Sequence, residues 1–175
     1  MKNMTIAIDG PCGSGKGTLA SALAKKFNLV NIDTGATYRC VALKALRNNI
    51  DINDTEKIID ISKNINIDLK EDGTVLMDNE DVTKEIRSKE VTGIVSPISS
   101  IKEVRKNLVE IQRRIAGNKN VVMEGRDITT IVLPNAKYKF YLDADLECRV
   151  QRRYKENKEK GIEMTLEEVK ESIEK

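Results

Sequence analysis

Residues 10–18 read G-P-C-G-S-G-K-G-T, and this stretch decides the fold. It follows a short apolar run, M-T-I-A-I at residues 4–8, and opens a helical pattern that runs to Phe27. Strand, glycine-rich turn and helix together build a phosphate cradle: successive backbone N–H groups converge on an anion, and the helix aims its free N-terminal donors at the same point. Lys16 would reach the outer phosphates of a bound nucleotide. The standard pattern places Ser or Thr directly after the lysine, whereas here Gly17 precedes Thr18. A ligand-free turn is the plainer alternative, but three glycines around a lysine cost conformational entropy that only a demanding backbone justifies.

At 175 residues the chain is one domain's worth, enough to bury about two-thirds of its unfolded surface. A third of the residues are charged and 39% are apolar, so a water-soluble protein is expected. A formal net charge of +2 is too small to indicate a nucleic-acid or membrane surface. The N-terminus turns polar too soon for a signal peptide, and no apolar run has membrane-spanning length. Cys12, Cys40 and Cys148 are odd in number and widely spaced, which fits free thiols in a reducing, cytoplasmic setting. Cys12 is either a reactive thiol or a small loop residue. With no histidine, Ser-His and Cys-His nucleophiles and His-ligated zinc are excluded. A phosphate-gripping protein without histidine works by positioning and charge neutralisation, and phosphoryl transfer is the reaction for which that suffices.

The coarse pattern is α/β. Strands are predicted at 4–9, 29–32, 120–124 and 138–143, and helices at 15–27, 36–48, 101–115, 146–160 and 166–174. Their alternation predicts a parallel sheet with helices on both faces. Residues 65–82 instead alternate apolar and polar around Asp72-Gly73, which predicts an inserted antiparallel hairpin. The chain is then one domain, 1–175, with a core at about 1–60 and 100–145 and an insert at about 61–99.

Ligands of such sheets collect at the carboxyl ends of the strands. Those ends carry Asp9, Asp33-Thr34, Glu124-Gly125-Arg126-Asp127 and Asp143. Thr18, Asp33 and Glu124 are candidates to hold Mg²⁺, largely through water. Arg39 and Arg126 could take a second phosphate in bidentate fashion. Arg39 could equally be a solvated helix face, and Asp33 could be only an N-cap.

At this point the residues carry a resemblance. G-P-C-G-S-G-K-G-T, I-D-T-G-A-T-Y-R, S-P-I-S-S-I-K-E-V-R, E-G-R-D-I and R-V-Q-R-R-Y together resemble bacterial cytidylate kinases, members of the nucleoside-monophosphate kinases with a P-loop kinase fold. The G-K-G-T form is that wider family's version of the loop. The resemblance implies ATP as donor, with its phosphates on Gly10, Pro11, Cys12, Gly13, Ser14, Gly15, Lys16, Gly17 and Thr18, and Mg²⁺ beside them. It implies CMP or dCMP as acceptor, bound by Asp33, Thr34, Tyr38, Arg39, Ser96, Arg105, Arg126 and Asp127, with Ser96 and Asp127 on the cytosine edge. Catalytic charge would come from Lys16, Arg39, Arg126, Arg149 and Arg153, the last two on a lid helix. A solvated basic helix is the alternative for 146–160. Two departures stand out. Thr129 replaces a customary glycine, and family members continue past Lys175 with an R-D-x-x-D-S-x-R segment, a strand and a helix.

The expected activity is transfer of the ATP γ-phosphoryl group to CMP by a cytoplasmic monomer that binds neither nucleic acid nor membrane. Kinases of other small acceptors on the same scaffold, and a nucleotide-binding form without turnover, remain alternatives.

Overall fold

A computed structural model describes residues 3–174 of the chain. Four strands form one parallel sheet in the order β2-β6-β1-β7: β1 is Thr5–Asp9, β2 Val30–Asp33, β6 Val121–Gly125 and β7 Tyr138–Tyr141. The first connection is α1 (Lys16–Phe27), and α2 (Gly35–Arg47) leaves β2. After an excursion, α5 (Lys102–Ala116) returns the chain to β6, and α6 (Leu146–Glu159) and α7 (Leu166–Glu174) follow β7.

The alternation of side chains along each strand divides the core in two. Ile6, Ile8 and Val122 pack with Ala20 and Leu29 on the α1 face. Ala7, Ile32, Val121 and Met123 face the other way, towards the buried stripes of α2 and α5. Helices therefore do cover both faces of a parallel sheet.

The excursion between α2 and α5 is larger than the predicted hairpin. It contains α3 (Thr55–Asn64), a three-stranded antiparallel sheet of β3 (Ile67–Leu69), β4 (Val75–Met77) and β5 (Glu80–Asp81), a 3-10 turn at Glu85–Arg87, and α4 (Lys89–Ser100). The first turn lies at Asp72-Gly73, where Asp72 Oδ1 accepts from Thr74 N at 2.9 Å. The second turn, Asp78-Asn79, places both residues at positive φ (51° and 71°), which adds the strand that the alternation alone did not indicate.

Register sets the working end of the sheet. Asp9 pairs with Gly125 and with Tyr141, and Asp33 pairs with Glu124. Parallel partners stand side by side about 4.8 Å apart, so Asp33 and Glu124 are neighbours at the carboxyl end of the sheet. Asp9 does not open towards a ligand: it is 2% exposed and accepts from Ile128 N, Thr129 N and Thr129 Oγ1 at 2.8, 2.9 and 2.6 Å. It fastens β1 to the π-turn Ile128–Val132. Asp143, also a strand-end acid, is exposed and accepts from its neighbour Ala144 N.

Candidate active site

The loop between β1 and α1 is packed from outside as well as bent from within. A Cβ at Gly13, where φ is +75°, would lie 2.7 Å from the Arg149 carbonyl oxygen, so only glycine admits the α6 backbone so close. Lys16 begins α1 and donates from Nζ to the Pro11 carbonyl at 2.8 Å, lying back across the loop. Burial pulls the Lys16 pKa below its ordinary value, while Glu124 and Cys12 oppose that pull. Ser14 is 3% exposed, and its hydroxyl finds no partner among the described residues. Gly17 and Thr18 are exposed on the first turn of α1.

Glu124, the last residue but one of β6, faces that turn, with Oε1 3.1 Å from where a Gly17 Cβ would stand. Burial, and then the neighbouring Asp33 carboxylate, push its carboxyl up to about 7. Asp33 accepts from Gly35 N at 2.9 Å and pairs with Arg87 at 3.2 Å. Arg87 sits in the 3-10 turn and was not anticipated, because a three-residue turn leaves no periodic signal.

Arg39 is held by the Ile86 carbonyl at 3.1 Å and by Thr92 Oγ1 at 2.9 Å. Burial, then the charges of Arg87 and Arg153, push it below the usual guanidinium range. Three arginines that repel one another beside a phosphate loop are stabilised by an anion placed among them. Arg126 is exposed, bears on Lys16 electrostatically, and makes no ion pair among the described residues.

A second cluster flanks the first. The Arg105 guanidinium lies 5.5 Å from the centre of the Tyr38 ring, donates to the Ser99 carbonyl at 3.1 Å and pairs with Asp127. Ser96 is exposed one turn earlier on α4, and its carbonyl accepts from Ser99 Oγ. Thr34 is placed differently from a ligand contact. It is 3% exposed, and its hydroxyl donates to the Glu124 carbonyl at 2.7 Å, clasping β2 to β6.

Helix α6 lies over the loop rather than out in solvent. Arg149 and Arg152 donate to the Cys12 and Ser14 carbonyls at 3.4 and 3.1 Å, and Arg153 lies against Cys12 Sγ. Residues 149, 152 and 153 share one helical face, as their spacing predicts. Asp145 caps the helix by accepting from Cys148 N at 2.8 Å.

A glycine-rich cradle at the end of a parallel strand, with lysine and arginine closing it from several elements, defines a P-loop kinase of small phosphorylated molecules. The family model described as cytidylate kinase matches residues 6–175, and the chain belongs to that family. It is 51% identical over 173 residues to the cytidylate kinase of Fusobacterium nucleatum, covering 99% of this chain and 79% of that one. Identity is 52% to the cytidylate kinase of Caldanaerobacter subterraneus, covering 100% and 79%, and 49% to that of Clostridioides difficile, covering 99% and 80%. A solved structure from Thermus thermophilus overlaps 97% of this chain and 78% of its own, at TM-score 0.40 and 21% identity, too loosely to bear on function. The chain is thus a nucleoside-monophosphate kinase that phosphorylates CMP from ATP. No described helix is long and apolar enough to cross a membrane.

Proposed function

We propose that the phosphate loop holds the ATP phosphates while Arg39 and Arg126 hold the phosphate of CMP or dCMP, and that Asp127 and Ser96 meet the cytosine edge. The observation that carries this reading is the pairing of the two clusters: Lys16, Arg39, Arg126 and Arg153 around the loop, and Tyr38, Arg105 and Asp127 beside it. Both nucleotides are anionic, so bringing their phosphates together needs fixed positive charge. The acceptor oxygen is already ionised, so no general base is required, in keeping with a chain that has no histidine. A carboxylate at 127 can accept from the exocyclic amine that uracil lacks. In this reading residues 61–99 carry the acceptor, and 146–162 form a lid whose arginines exclude water from the transfer.

The donor set suits Mg²⁺. Asp33 and Glu124 stand side by side, and the raised Glu124 carboxyl marks a place where a cation is favoured. Among the described residues no group of three or more His, Cys, Asp or Glu is arranged to cage a metal. Mg²⁺ ordinarily keeps several waters and takes one or two carboxylates together with substrate phosphates. Asp33, Glu124 and Thr18 would hold it, and when bound it neutralises charge on the transferring phosphoryl group. The enzyme acts as a cytoplasmic monomer on small molecules.

The test is ADP release with CMP, dCMP, UMP, AMP and shikimate, run beside Arg126→Ala. CMP and dCMP are expected to support turnover well above the others, and Arg126→Ala to lose about 10²–10³ in kcat/KM with an unchanged melting temperature. Near-normal activity in that variant would remove Arg126 from the acceptor site. Nucleotide binding without ADP release would leave the chain a binding module only.

A further inference from the structure

The Arg39 guanidinium is tied down by one nitrogen. Nη1 donates twice, to the Ile86 carbonyl at 3.1 Å and to Thr92 Oγ1 at 2.9 Å, and so uses both of its protons. Nε and Nη2 have no partner among the described residues. Those two nitrogens form the flat edge by which a guanidinium takes two oxygens of one phosphate.

The place is an unfavourable one for a cation. Burial, then the charges of Arg87 and Arg153, act against it. A long side chain among like charges turns away unless something holds it. Both acceptors come from the excursion between α2 and α5: Ile86 lies in the 3-10 turn, and Thr92 is half-buried near the start of α4. Between them Ser88 caps α4 by accepting from Val91 N at 3.3 Å, so the start of that helix sets the spacing of the two acceptors. The Ile86 carbonyl is backbone and would be present with any side chain at that position. The Thr92 hydroxyl depends on the residue. A β-branched side chain gives α4 no advantage as a helix, and its oxygen is what reaches Arg39.

We propose that Thr92 is a positioning residue for the acceptor phosphate: by accepting the second proton of Arg39 Nη1 it fixes the guanidinium plane and leaves the Nε–Nη2 edge for the phosphate. The proposal rests on Arg39 holding the phosphate of CMP or dCMP. With the Ile86 carbonyl alone, the guanidinium pivots about a single hydrogen bond. Two acceptors on one nitrogen hold it in a plane. Thr92 acts through Arg39 and touches no substrate. Because the hydroxyl belongs to α4 and the guanidinium to α2, the grip on the phosphate is complete only while those two helices stay docked.

The experiment measures kcat, KM for CMP, dCMP and ATP, and the melting temperature in Thr92→Val, Thr92→Ser, Arg39→Lys and the double variant of Thr92→Val with Arg39→Lys. Thr92→Val exchanges the hydroxyl for a methyl group. It is expected to raise KM for CMP and dCMP alike by about tenfold, with kcat and KM for ATP within about twofold. Thr92→Ser keeps the oxygen and should return KM to within about twofold of the parent chain. Arg39→Lys has no planar fork, so it should raise KM for CMP by itself, and Thr92→Val should add less than about twofold in that background. An unchanged KM for CMP in Thr92→Val, a serine variant as impaired as the valine one, a KM for ATP that rises in step, or additive losses in the double variant would each overturn the proposal. Arg39→Lys separates the two layers. If it leaves KM for CMP unchanged, the reading of Arg39 on the acceptor phosphate fails. If it raises that KM while Thr92→Val does not, the role of Thr92 alone fails. Should Thr92→Val not fold, Thr92→Ala decides, because alanine removes the same hydroxyl and favours the helix; a normal KM for CMP there is a negative result.

Discussion

Gly17 stands where phosphate loops of the standard pattern carry Ser or Thr, and the structure gives it a physical reason. A Cβ there would come within 3.1 Å of Glu124 Oε1, so any side chain crowds the carboxylate that closes the site from below. The hydroxyl is displaced one residue, to Thr18. Gly17→Ala is therefore expected to separate stability from activity. Alanine in a helix is worth about 0.5–1 kcal/mol over glycine, so the melting temperature should hold or rise slightly. The carboxylate must meanwhile give by a few tenths of an ångström, and kcat with CMP should fall about tenfold, since misplacement of charge at a transfer site is costly. Thermal unfolding and ADP release on the same samples check both halves; a fully active variant would mean that the Glu124 position is unimportant. Thr129, the other departure, is benign for a related reason. Its hydroxyl adds a third hydrogen bond to Asp9, which a glycine could not supply.

Among the elements, α2 joins core and site. Its buried face carries Thr37, Tyr38, Cys40, Val41 and Leu43. The Cys40 thiol is 0% exposed, and burial pushes its pKa from 9.0 up to about 12. Unfolded, it ionises near its ordinary value; folded, it stays protonated through most of the alkaline range. A pKa raised in the fold contributes stability that is complete below pH 9 and is lost progressively as pH climbs towards 12. Each unit of difference is worth about 1.4 kcal/mol, so roughly 2–3 kcal/mol should have gone by pH 11. Cys40→Ala leaves a small cavity and starts less stable, yet its stability should fall less steeply above pH 9. Urea unfolding at several pH values compares the slopes, and equal slopes would dismiss the thiol as their source. The same helix shows what the sequence could and could not convey. The four strands of the parallel sheet, and the helices after them, announce themselves through apolar runs and turns. α3 carried a readable signal in its Asp54 cap, which accepts from Lys57 N at 3.2 Å, and in Ile58 and Ile61 on one face. α4 did not: Gly93 and Pro97 weaken it, and it is held by the Ser88 cap and by burial of Val91 and Ile98 against the rest of the fold. Site residues next to strand ends, such as Asp33, Glu124 and Arg126, follow from topology. Arg87 does not, because it lies in a short turn and only tertiary packing sets it beside Asp33.

At the scale of the molecule, the parallel sheet is assembled from distant parts of the chain, with Thr5 paired to Val121 and Ile6 to Tyr138. Pairing across such sequence separations is slow to form in general. In the folded state β7 pairs with β1 on one side only, and no described strand covers the other. Tyr138, Phe140 and Tyr141 are 39%, 48% and 71% exposed along it. A net charge of +2 gives little repulsion to hold molecules apart. An aromatic, unpaired edge on a nearly neutral protein is a site for edge-to-edge association when the sample is warmed or concentrated. Tyr141→Lys places a charge on that edge without touching the loop, the acceptor cluster or the buried core. Light scattering during a thermal ramp should then begin several degrees later than in the parent chain, while the melting temperature and KM for CMP stay within error. If scattering starts at the same temperature in both, aggregation proceeds from the unfolded chain rather than from β7.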